Sequence, residues 1–114
     1  MTDVSSGRFR WNREKAKENL VKHGVSFREA SSVFDDEDQH VYPDGKHSYH
    51  EDRFTIIGKS KKSRIIMVCH CYREIIENTK KIQIIRIFSA RKANDFETKV
   101  YKGEELYDAD EWRE

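Results

Sequence analysis

Three β-rich runs crowd the second half of this 114-residue chain, and they constrain its fold more than anything else in it. Arg53 to Lys59 reads RFTIIGK, Arg64 to Tyr72 reads RIIMVCHCY, and Lys81 to Ser89 reads KIQIIRIFS. β-branched and aromatic residues dominate each run, and polar connectors join them. Connectors this short suit antiparallel neighbours, because a parallel return needs a crossover of about a dozen residues. An antiparallel meander is therefore expected.

The first third has a different period. Arg8 to Trp11 alternates polar and apolar residues and is read as a short first strand. Asn12 then N-caps a helix running to His23, which Gly24 stops. The apolar face of that helix is thin: Ala16, Leu20 and Val21. Ser26 followed by Glu29 is a capping-box pattern for a second helix, with Phe27, Ala30, Val33 and Phe34 on one side. The acids Asp35 to Asp38 end it, and Pro43-Asp44-Gly45 marks a turn.

The run Ile85 to Ala93, IRIFSARKA, reads as a strand entering a final helix, Arg91 to about Lys102, with Ala93, Phe96 and Val100 buried. Helix starts ordinarily carry acids, so Arg91 and Lys92 at this junction either hold an anion, with phosphate the usual occupant, or simply point into water. Ser89 is expected to cap the helix rather than act as a nucleophile. Two N-terminal helices, a three- to four-stranded antiparallel sheet and a C-terminal helix make an α+β domain.

Charge is unevenly spread. Residues 103–114 hold six acids and one base, so the net +1 of the chain leaves +6 on residues 1–102 once the tail's −5 is set aside. A basic body with an acidic tail suits a protein that meets nucleic acid. The tail, 103–114, is set apart from the 1–102 domain and is expected to shield its basic face. No apolar run approaches the ~20 residues that span a bilayer and no signal peptide pattern stands at the N-terminus, so a cytoplasmic setting without membrane partners is expected. Cys69 and Cys71 share one face of a strand, which does not favour a mutual disulfide. His70 between them points to the other face, as a core or site-lining residue.

The strings FRWNREKAKENLVKHGVSFREASSVFDD, HSYHEDRFTIIGKS, VCHCYRE and IIRIFSARKA, with Glu97 and Tyr101 downstream, resemble the BrnT toxins, RelE-like ribonucleases of bacterial type II toxin–antitoxin systems. The resemblance runs from about Phe9 to Tyr101. It departs at Asn12, where Asp is common, at Cys71, where Thr is expected, and at the connector Glu74 to Lys81, which looks longer than usual. It implies a RelE-like fold and a metal-independent endoribonuclease without cofactor. The ribose 2′-hydroxyl attacks the adjacent phosphate and leaves a cyclic phosphate. It also implies a BrnA-like ribbon-helix-helix antitoxin, with operator DNA met only through the complex, and inhibition of translation.

Arg forks suit a crowded, doubly charged phosphorane better than Lys. Arg53, Arg73 and Arg91 match family positions and are expected to clamp phosphate, with Arg86 and Arg64 next in order. His47 and Glu51, in the matching HS-x-x-E-x-R segment, are candidates for proton transfer. Lys15, Arg86 and Lys92 are expected to hold RNA backbone, and Trp11 to stack a base unless it is a core residue. A zinc site from His47, His50, Cys69 and Cys71 is disfavoured, since structural zinc prefers Cys pairs two to four residues apart. The alternative to an enzyme is an inactive module that serves only as antitoxin partner and co-repressor.

Overall fold

The structure is a computed structural model that describes residues 3–45 and 51–106. Strands β1 (Asp3–Ser6) and β2 (Phe9–Asn12) form a hairpin around Gly7 at φ 57°. Helices α1 (Arg13–His23) and α2 (Phe27–Ser32) follow, then a 3-10 turn over Val33–Asp35. Strands β3 (His40–Pro43), β4 (Phe54–Lys59), β5 (Ile65–Glu77) and β6 (Lys80–Lys92) lead to helix α3 (Asp95–Tyr101).

Among the described residues these strands make one sheet in the order β1-β2-β6-β5-β4-β3. That corrects the expected architecture. The sheet has six strands rather than three or four, and it is mixed, because β2 lies parallel to β6 with Phe9 opposite Ile85. The first two helices follow a hairpin instead of opening the domain. Crossover from β2 to β6 passes through both helices and three strands, so no local signal announces it.

Two other expectations change. The presumed connector from Glu74 to Lys81 is strand on both sides, paired as far as Glu77 opposite Lys80. Asn78 and Thr79 alone make the turn, both at positive φ (51° and 63°), which matches the right-handed twist of a long hairpin. The second change is at the last helix, which starts at Asp95 rather than Arg91. Strand pairing continues through Lys92 opposite Ile66, and Asn94 supplies the cap with a full reciprocal box from Glu97. Arg91 and Lys92 are thus strand residues, Ser89 caps nothing, and the first turn of α3 carries acids in the ordinary way.

The caps of α1 and α2 are where the sequence put them. Asn12 accepts from the Lys15 N–H at 3.0 Å, and Gly24, at φ 70°, closes the helix onto the Leu20 carbonyl. Ser26 accepts from the Glu29 N–H at 3.0 Å. Both helices cover one sheet face, with Trp11, Phe27, Val33, Ile56, Val68 and Ile87 in the core. The thin face of α1 stays thin: Leu20 and Val21 are exposed. Buried Asn19 anchors the helix instead. Its side chain donates to the carbonyls of Val25 (2.9 Å) and Ala90 (2.8 Å), and it accepts from the Ala90 N–H (3.1 Å).

Glu29 is wholly buried, so its charge needs partners. Arg64 supplies two hydrogen bonds and Ser60 a third at 2.6 Å, tying α2 to the β4–β5 turn. Arg64 also donates to the Gly24 carbonyl at 3.0 Å. It is therefore a structural residue here.

Candidate active site

Cross-strand pairing assigns side chains to the sheet face away from α1 and α2. Thr55, Cys69 and Ser89 share that face, as do Cys71 and Arg86, because their neighbours Val68, His70, Ile87 and Ala90 are buried in the core. Arg73 follows two residues on. Arg91 lies on the same face through its pairing with Met67, at the end where α3 packs.

At the centre stands Glu51. Arg73 donates to both of its oxygens, at 3.1 and 3.0 Å, and a nitrogen of Arg53 approaches at 3.8 Å. All three side chains are accessible to solvent, Arg73 the most, at 44%. The hydrogen bonds from Arg73 hold the Glu51 carboxyl below the usual range, and the Cys71 thiol adds another at 3.3 Å. Glu51 is thus ionised at neutral pH, and the trio carries a net single positive charge. Burial first, then Glu51, pushes the Cys71 thiol up. Burial likewise raises Cys69 to about 12, beside Asp44 at 3.6 Å. Both cysteines are free thiols, and neither is a nucleophile at neutral pH.

A β-bulge shapes the neighbouring part. Cys69 pairs with Ser89 but His70 pairs with Ile87, so Phe88 has no counterpart. Arg53 lies over its ring, 3.7 Å from guanidinium carbon to centroid, and the Lys15 ammonium is 5.9 Å from the same centroid. Sequence reasoning missed Phe88 because an aromatic in a strand looks like core. The available signal was a phase slip: Ile85, Ile87 and Ala90 cannot all face one side of a regular strand.

The other expected residues are more dispersed. Arg86 is on this face but is held by Asp3 through two bonds of 2.9 Å, which keep the Asp3 carboxyl low. Arg10 pairs with Glu77 at 3.5 Å. Arg91 grips buried Glu97 with two bonds of 2.7 Å and so fastens α3 to the sheet. Lys92 is exposed and, by alternation, points to the opposite face. Trp11 is 4% exposed and meets Phe27 edge to face at 6.0 Å, leaving no ring face for a base. His70 is buried among Phe34, Phe54 and Tyr72, and that burial lowers its imidazole to about 4. His47 and His50 lie outside the described residues, as does the tail beyond Leu106. Among the described residues no three His, Cys, Asp or Glu side chains converge as metal ligands, and no helix is long and apolar enough to cross a membrane.

Arg10, which shares this face through its pairing with Arg86, and Arg53, Arg73, Arg86 and Arg91 thus each stand near a carboxylate. The arrangement can exchange those carboxylates for the oxygens of a phosphodiester. Arg53 and Arg73 are the pair that share one carboxylate, Glu51.

A family model described as "Ribonuclease toxin, BrnT, of type II toxin-antitoxin system" matches residues 11–97. Comparison with curated proteins gives no match. The matched stretch includes Lys15, Glu51, Arg53, Arg73 and Phe88, and stops within α3. This chain belongs to the BrnT family of ribonuclease toxins of type II toxin–antitoxin systems, with RNA as its substrate and an antitoxin as its partner.

Proposed function

We propose that the chain is an endoribonuclease that cuts RNA by attack of the ribose 2′-hydroxyl on the adjacent phosphate, without a metal ion. The observation that carries this reading is the pair of guanidinium groups, Arg53 and Arg73, gathered at ionised Glu51 on an accessible sheet face. A phosphodiester entering there takes Arg73 from Glu51. The carboxylate then loses the bonds that keep it acidic and becomes a stronger base for the 2′-hydroxyl proton. The two arginines stabilise the charge that develops on the phosphorane. His47, four residues before Glu51, is proposed to protonate the departing 5′-oxygen. The products are a cyclic phosphate and a free 5′-hydroxyl. Lys15 and Arg86 hold flanking phosphates.

Residues 1–102 form the catalytic body in this reading, and residues 103–114 an acidic tail that shields it. The toxin acts in the cytoplasm, where RNA cleavage inhibits translation. A BrnA-like ribbon-helix-helix antitoxin covers the arginine face, and operator DNA is met only through that complex.

A second reading, the inactive antitoxin partner and co-repressor, is favoured by one observation: these arginines already have carboxylates of the chain beside them. Cleavage of RNA in EDTA by the purified chain decides, run beside an Arg53→Ala, Arg73→Ala variant prepared identically. Arg91 is left intact because its loss would strand buried Glu97. Cleavage by the wild type alone, with cyclic-phosphate ends, supports the enzyme. Equal cutting by both samples, or none by either in EDTA, refutes it as stated.

A further inference from the structure

We propose that Phe88 is a positioning residue for Arg53, its ring holding the guanidinium flat on the sheet face away from α1 and α2 for phosphate contact. The inference rests on the reading of Arg53 and Arg73 as a phosphate clamp. It starts from the bulge. Ile87 and Ala90 are both buried in the helix-side core, so the two residues between them face the other way. Without the extra residue, Phe88 and Ser89 would not share that face.

Glu51 grips Arg73 with both oxygens, which fixes that guanidinium by its donors. The Arg53 guanidinium carbon stacks 3.7 Å from the Phe88 centroid, and one of its nitrogens stands 3.8 Å from Glu51. A guanidinium carries its five donors in its own plane. Stacking on an aromatic face therefore orients the group without itself occupying a donor. The ring quadrupole also eases the approach of a second cation, and Lys15 lies 5.9 Å from the same centroid. Leucine would fill much of the same volume but has no π-face. The aromatic character of Phe88, beyond its bulk, sets the plane of Arg53.

The test measures cleavage of a defined RNA oligonucleotide in EDTA across substrate concentrations. It compares wild type, Phe88→Leu, Phe88→Tyr, Arg53→Ala and the Phe88→Leu, Arg53→Ala double variant. Circular dichroism melts confirm that each is folded. Phe88→Leu should lower kcat about tenfold, the range a partly desolvated cation–π contact supports, with KM changed less than twofold. Phe88→Tyr should restore kcat. In the Arg53→Ala background, Phe88→Leu should cost nothing further. An equal loss in both backgrounds would overturn the inference, as would a rise in KM alone, which would make Phe88 a base-stacking platform. An active wild type with an unaffected Phe88→Leu variant removes only this inference. An inactive wild type removes the clamp reading, and this with it.

Discussion

Replacing Arg64 by methionine should be among the most damaging single changes this domain can suffer, although Arg64 is partly exposed. The structure sets the magnitude. Glu29 is wholly buried and receives two of its three side-chain bonds from Arg64. The Arg64 bonds keep the Glu29 carboxyl below its ordinary value, so it is charged when the protein is folded at neutral pH. Removing Arg64 leaves that charge with Ser60 alone and also deprives the Gly24 carbonyl of a donor. Stranding a buried charge costs about 3–5 kcal/mol, against a total stability of roughly 5–15 kcal/mol. Glu29→Gln is milder, about 1–2 kcal/mol, because the amide still bonds Ser60 and Arg64 regains water. The sign with pH follows from the depressed carboxyl. Its stabilisation is present above the unfolded value near 4.5 and lost as pH falls through the folded one. In Arg64→Met, burial pushes the carboxyl up and the protonated form is tolerated. The gap between wild type and variant should therefore be widest at pH 7 and shrink toward pH 4. Urea melts followed by tryptophan fluorescence read it directly, since Trp11 is in the core. Equal costs for the two substitutions, or a gap independent of pH, would refute the buried-charge account.

Gly58→Ala should destabilise by about 1–3 kcal/mol, since a Cβ there would sit 3.0 Å from the Val33 Cβ and 3.2 Å from the Val33 carbonyl oxygen; thermal melting checks it. Cys69, raised to about 12 by burial, should react with a thiol reagent at pH 8 at least a hundredfold more slowly in the native protein than in urea. Asp3→Asn should release Arg86 and tighten RNA binding about two- to threefold at low salt, an effect that fades at high salt. Fluorescence anisotropy with a labelled oligonucleotide would show it, and unchanged affinity would remove Arg86 from the binding face.

What the sequence revealed was local. Asn12 and Gly24 announce both ends of α1 because a cap acts within one turn. The runs that became β4, β5 and β6 stood out by composition. β1 did not, because DVSS has a single apolar residue and becomes strand only by pairing with β2. The parallel contact of β2 with β6 joins residues from opposite ends of the chain, and no pattern within either segment encodes it. Arg91 and Lys92 looked anomalous only while a helix was thought to begin there; strand pairing runs through Lys92, and beyond it the Ala93 N–H bonds the Ile65 carbonyl. The arginines of the site were legible as residue types. Their partners were less so, since Asp3 lies 83 positions from Arg86 and Glu51 lies 22 from Arg73.

The sheet order also governs when the site exists. Lys15 comes from the first helix, Glu51 and Arg53 from the middle of the chain, and Phe88 from the last strand. β6, which contributes Phe88, is also the strand that bridges β2 to β5. A chain emerging from the ribosome therefore holds its early arginines with no surface on which to array them until β6 has been made. Such non-local closure is slow. For a protein whose substrate is RNA, the topology works as a delay: the proposed cutting face cannot assemble before β6 has been made.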